Sequence, residues 1–136
     1  MKQISSLFLF AILLIVGISS CSKGDDRDDF VGTYNAEDKF SIGGQQFTDT
    51  YSFTITKSSN SEDRILLNGF AATPGTTVEA LVSGRGMTIP QQTIVIDGTN
   101  VGVSGSGTID GNRLTYSYSA SSPGLTLSIA GTANKL

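Results

Sequence analysis

From Phe47 onward the chain alternates. Phe47, Asp49, Tyr51, Phe53 and Ile55 are separated one by one by Thr48, Thr50, Ser52 and Thr54, and Thr56 closes the run. A period of two over that length, rich in aromatic and β-branched residues, predicts a strand with one buried face. The same rhythm returns in Leu114-Thr115-Tyr116-Ser117-Tyr118 and in Leu125-Thr126-Leu127-Ser128-Ile129. Phe30 to Ile42 predicts an opening strand turned at Gly43-Gly44, and Arg64 to Phe70 a third strand after the polar stretch Ser58 to Asp63. Ala71 to Thr76, with Pro74-Gly75, reads as a loop. Thr76 to Ser83 fits two templates. Thr76 and Glu79 have capping-box spacing, yet Val78, Ala80 and Val82 alternate and Gly84 comes too soon for a helix, so strand is preferred. Met87 to Pro90, Thr93 to Asp97 and Val101 to Ile109 add further strands, with turns at Gly98-Thr99-Asn100 and Asp110-Gly111-Asn112. Pro90 cannot donate to a ladder and so marks a strand end, an edge or a bulge.

Eight or nine short strands joined mostly by tight turns, with no convincing helix, predict an all-β domain. Sequential hairpins favour an up-and-down meander over a Greek key, and a meander of eight strands removes its edges by closing. The expected architecture is a small antiparallel up-and-down β-barrel of about eight strands, with a sandwich as the second choice. Its inward face should carry Tyr34, Phe40, Phe53, Ile55, Ile65, Leu67, Val78, Ile89, Ile109, Leu114, Tyr116, Tyr118 and Ile129, among others. A barrel of that size is either filled by side chains or holds one small ligand. These residues favour filling.

The first residues carry a different pattern. Lys2 precedes an apolar run of twelve residues, Leu7 to Ile18, which ends in Ser19-Ser20-Cys21. A spanning helix needs about 20 apolar residues. A basic start, a short apolar run and small residues before a cleavage point read instead as a secretory signal. Ile18-Ser19-Ser20-Cys21 resembles the lipobox of bacterial lipoproteins, in which an aliphatic residue and two small ones precede the cysteine. The resemblance implies cleavage before Cys21, a diacylglycerol on its sulfur and acylation of the new amino terminus. Residues 1–20 are then the signal peptide, 21–29 the lipidated cysteine with a flexible acidic tether, and 30–136 the folded domain. At about 0.8 kcal/mol per buried methylene, two or three acyl chains anchor a protein without spanning the bilayer. Ser22 to Asp26 also resembles the acidic export tag that carries some Gram-negative lipoproteins to the outer face of the outer membrane. The expected location is the outer membrane, lipid-anchored, with cell-surface display as a further expectation.

Composition narrows the chemistry. The chain has one cysteine and no histidine. A Ser-His triad and a histidine-ligated zinc are excluded, and a lipidated Cys21 leaves no disulfide. The 107 residues from Phe30 carry six basic and eight acidic side chains, a net charge of −2, with no basic stripe for nucleic acid. Asp97-Gly98-Thr99-Asn100 lacks the further ligands of a calcium loop, and Gly105-Ser106-Gly107 lies in a strand with no helix after it, so neither a metal nor a cofactor is expected.

Phe30-Val31-Gly32-Thr33-Tyr34, Met87-Thr88-Ile89-Pro90-Gln91-Gln92 and Gly105 to Ile109 with Leu114 to Tyr118 together resemble the small calycin-like, lipocalin-type β-barrel lipoproteins of Gram-negative bacteria. The resemblance covers most of residues 30–136 and rests on strands and turns. Lipocalins proper begin with Gly-x-Trp, whereas this chain has Gly32-Thr33-Tyr34 and no tryptophan. It implies a barrel and a general role in binding, and carries over no ligand residue.

Candidate site residues are few. Asp49 shares the apolar face of its strand with Phe47 and Tyr51, where an unpaired carboxylate is costly to bury. It is either a polar anchor or general acid at a pocket, or a rim residue near a strand end. Glu37 and Asp38 on the first strand face it across a hairpin at Gly43-Gly44, so Asp49, Glu37, Asp38 and Tyr51 make up a candidate ligand or rim site. Two functional classes follow. The first is a non-catalytic, lipid-anchored barrel that binds a small apolar ligand, a glycan or another envelope protein. The alternative is a carboxylate-based glycan hydrolase, which needs two acids about 5–10 Å apart in an open cleft.

Overall fold

The structure is a computed structural model that describes residues 25–136. The expected signal peptide and Cys21 lie outside the described residues. Eight antiparallel strands form a closed up-and-down barrel: β1 (Gly32–Ile42), β2 (Gln45–Lys57), β3 (Arg64–Asn68), β4 (Thr77–Ser83), β5 (Gly86–Ile96), β6 (Thr99–Asp110), β7 (Arg113–Ser122) and β8 (Leu125–Lys135). Each strand pairs with the next in sequence, and β1 closes on β8 from Tyr34 opposite Lys135 to Lys39 opposite Ala130. This is the expected barrel, and it has the architecture of a calycin-like fold.

Tight turns produce this order. Gly43 and Gly44 have φ of +59° and +81°, the two positive values that a two-residue hairpin with the right twist requires. The stretches Met87–Pro90 and Thr93–Asp97 form one strand, β5, whose register slips between Ile89 and Gln92. Pro90 therefore sits at a bulge. Past the end of the β4–β5 ladder, the Gln92 amide accepts from Glu79 N at 3.0 Å and donates to Glu79 O at 2.9 Å. A side chain thus replaces the rung that the bulge removes. Phe70 leaves the third strand and enters a short 3₁₀ turn, Phe70–Ala72.

The interior is filled. Tyr34, Ile55, Ile65, Leu67, Val78 and Leu114 have no exposed surface, and Phe53, Met87, Ile89 and Val103 are all but buried. The outer face is polar, with Thr33, Asn35, Glu37 and Lys39 alternating against buried neighbours on β1. That is the reverse of a membrane-spanning barrel, whose outer face is apolar.

The two ends of the barrel differ. At the base, residues 25–30 are folded, although the acidic string reads as tether up to Asp29. Asp26–Asp29 form a 3₁₀ turn capped by the Asp25 side chain. Arg27 explains the difference. Its guanidinium is buried and donates to Ser58 O at 3.2 Å, Ser61 O at 2.8 Å and Arg64 O at 3.2 Å, while Asp25 Oδ2 accepts from it at 2.8 Å. Asp26 Oδ2 accepts from Gly84 N at 3.0 Å, and Lys135 Nζ donates to Asp29 O at 2.7 Å. Phe30, fully buried, fills the mouth, and its carbonyl accepts from Tyr34 Oη at 2.6 Å. The turn is therefore a plug bonded to three sides of the base. The other end is open and uneven. β2 runs from Gln45, but its ladder with β3 spans only Thr54 to Lys57. The β1–β2, β5–β6 and β7–β8 hairpins stand above the short β3 and β4.

Candidate functional site

Alternation along β1 decides where its acids go. Tyr34, Ala36, Asp38 and Phe40 take the inner face, so Glu37 takes the outer one. Glu37 is exposed and lies 3.6 Å from Lys39 Nζ. Asp38 is buried, with 3 % of its surface exposed. Its partners are phenols from β7 and from the adjacent β2. Tyr116 Oη on β7 donates to Oδ1. Tyr118 Oη donates to Oδ2 at 2.6 Å, and Tyr51 Oη on β2 donates to the same oxygen at 2.9 Å. Tyr51 Oη also accepts from Ala71 N at 3.2 Å and lies 3.3 Å from Tyr116 Oη. Among the described residues no buried side-chain polar atom lacks a partner.

Missing side chains make room for this cluster. Gly131 on β8 stands opposite Asp38 on one side and Tyr116 on the other. A Cβ there would run into the Tyr116 ring and come 2.5 Å from Asp38 Oδ1. Gly105 and Gly107 on β6 do the same for Tyr118 and Tyr116, whose Cβ atoms lie 2.7 and 3.0 Å from the added atom. Phe70 then closes the cluster from above, with ring centroids 5.3 Å from Tyr116 and 4.8 Å from Tyr118. The glycines of Gly-Ser-Gly are the floor on which two tyrosines pack.

Electrostatics keeps the phenols protonated. Burial pushes the Tyr51, Tyr116 and Tyr118 hydroxyls well above the usual tyrosine range. The Asp38 charge adds to this for Tyr51, and the neighbouring Tyr51 hydroxyl adds to it for Tyr116 and Tyr118. Each phenol is therefore a donor at neutral pH, and a carboxylate with three O–H donors is well compensated for burial. With both oxygens occupied, Asp38 is not presented to a substrate.

Asp49 has the other fate. It stands directly opposite Asp38 in the β1–β2 register, but it lies above the last β2–β3 rung and is exposed. It is a rim residue. Of the four candidate residues, the fold joins Asp38 with Tyr51, sends Glu37 outside and leaves Asp49 at the rim. Tyr116 and Tyr118 are members of the cluster that the alternation alone reads as core. The signal for them is an excess of phenols on inward positions, since a buried hydroxyl needs a partner.

Around the cluster the surfaces are open. An open cleft of about 920 Å³ spans β6, β7, β8, β1 and the start of β2, lined by outward serines such as Ser104, Ser117 and Ser128 and also by the inward Phe40, Tyr118 and Ile129. A second, of about 490 Å³, lies between Tyr51–Thr54 of β2 and the Asn68–Thr77 loop. Among the described residues no group of three His, Cys, Asp or Glu is placed to hold a metal ion. Among the described residues six large apolar side chains remain exposed: two, Val31 and Leu136, lie at the base, and four lie at the open end, Ile42 at 42 %, Phe47 at 39 %, Val95 at 57 % and Leu125 at 48 %. Phe40 and Phe47 stack there across the hairpin, centroids 5.8 Å apart. Comparison with protein-family models and with curated proteins finds no match to this sequence.

Proposed function

We propose that the protein is a lipid-anchored lipoprotein of the outer membrane whose barrel is a non-catalytic accessory module, binding another envelope protein through its open end. One observation carries the reading of the barrel: the interior is filled, while Ile42, Phe47, Val95 and Leu125 stand exposed on the hairpins of one end. A filled barrel has no room for a small apolar ligand in its core, and the four apolar side chains exposed at the open end support a macromolecular contact there. The anchor rests on the sequence, through the short apolar run and Ile18-Ser19-Ser20-Cys21.

The hydrolase alternative draws on Asp38 and Asp49, which stand opposite each other. Against it, Asp38 is buried with both oxygens bonded to tyrosines, so the pair offers no open cleft between two acids. A photo-reactive residue in place of Phe47 tests the binding reading in living cells, with Ser59 at the base as the control position. A discrete protein adduct from position 47 and none from position 59 is expected. Identical adducts from both, or none from either, would count against a binding end. Cys21→Ala should move the protein from the membrane to the soluble fraction, and retention would refute the anchor.

A further inference from the structure

We infer that the plugged base of the barrel faces the bilayer at close range and that the open, apolar end is held away from it. This rests on the lipidation of Cys21 proposed above. Only three residues, Ser22, Lys23 and Gly24, separate Cys21 from Asp25. Four steps of chain span at most about 14 Å when fully extended. Asp25 is itself held to the base, 2.8 Å from the Arg27 guanidinium and 3.3 Å from Lys57 Nζ. Arg27 in turn is tied to the Ser58–Arg64 connection, Asp26 to the Gly84 turn and Asp29 to Lys135. The lipid is therefore joined to the rigid base by a leash shorter than the barrel is tall.

The comparison of lengths decides the orientation. Taken alone, Ile42, Phe47, Val95 and Leu125 would favour lipid over water, which argues for an inverted barrel with its open end down. β1 has 11 residues, and at about 3.3 Å per residue and a tilt of about 40° it rises about 28 Å along the barrel axis. Inversion needs a leash of at least that length, twice what is present. Lying flat is disfavoured as well, because the barrel wall presents serines, threonines and charged side chains with no apolar stripe to sink into the interface. The 3₁₀ plug thus sets which end of the molecule meets other proteins.

The test uses the full, lipidated protein reconstituted into phosphatidylethanolamine–phosphatidylglycerol vesicles doped with a lipid carrying a short-range nitroxide quencher on its headgroup. A fluorophore is attached through Ser59→Cys at the base or through Gln46→Cys at the open end. Both positions are exposed. Loss of fluorescence at position 59 and none at position 46 is expected. Equal loss at both, or loss at position 46 alone, overturns the orientation. Ten Gly/Ser residues inserted between Gly24 and Asp25 leave the barrel intact and should reduce the quenching at position 59. Unchanged quenching there would show that leash length does not set the geometry, and would overturn the inference too. Failure of the lipidated protein to float with the vesicles would refute the anchor itself, a separate result from vesicle-bound protein with its open end down.

Discussion

Removing one hydroxyl at a time from the Asp38 cluster tests whether it acts as a single network. Tyr116→Phe keeps the ring against Phe53 and Phe70 but deletes the donor to Asp38 Oδ1, the one tyrosine that reaches that oxygen. Tyr118→Phe deletes one of two donors to Oδ2, where Tyr51 remains at 2.9 Å. A hydrogen bond to a charged group contributes about 1.5–3 kcal/mol, and a buried acceptor left empty costs the upper end of that range or more. Tyr116→Phe should therefore destabilise the domain by about 3 kcal/mol and Tyr118→Phe by about 1.5 kcal/mol. Both fall within reach of urea denaturation on the Cys21→Ala protein. For a domain of this size, about 1 kcal/mol corresponds to roughly 4–8 °C in Tm, so the two variants should separate clearly in thermal melts. Equal losses, or the reverse order, would refute the assignment of Oδ1 to Tyr116 alone.

Alkaline pH should unfold the domain. The hydroxyls of Tyr51, Tyr116 and Tyr118 are held above the unfolded tyrosine range and that of Tyr34 is pushed up to about 12, chiefly by burial. Their contribution is full below about pH 10, the unfolded value, and is lost as pH rises above it. Far-ultraviolet circular dichroism across that range should show a transition that shifts upward in Tyr116→Phe, measured relative to that variant's own neutral stability. Gly131→Ala should cost about 3 kcal/mol by overpacking against Tyr116 and Asp38, and a change under 1 kcal/mol in denaturation would mean the wall yields there. Arg27→Ala should free the plug while leaving the barrel folded, read as new proteolytic cleavage between Asp25 and Val31 with unchanged circular dichroism. Asp49→Asn, at an exposed rim position, should leave stability within about 0.5 kcal/mol of the parent.

Much of the barrel is legible in the alternation of β2, β7 and β8, because a strand with one wet face writes its period into the sequence. The same period, carried back along β1, puts Asp38 inside and Glu37 outside. It says nothing about how far each strand is covered. Phe47, Asp49 and Tyr51 read as one buried face, yet β3 pairs β2 only from Thr54 onward, so the face emerges into solvent above that rung. The acidic string is a second case. Four aspartates in five residues look solvated, and Arg27 among them finds its partners in the carbonyls of residues 58–64, a meeting that local pattern cannot announce.

By itself, then, the sequence determined the strand order, the turns and the expectation of a lipid address at Cys21. Each of these depends on neighbours within a few residues: alternation along one strand, glycine at positive φ, and small side chains before a cysteine. Only the tertiary structure decided that Asp38 is committed to three tyrosines, that Asp49 stands exposed at the rim, and that residues 25–30 plug one end of the barrel. Those outcomes depend on barrel closure, which brings residues 80 positions apart within hydrogen-bonding distance.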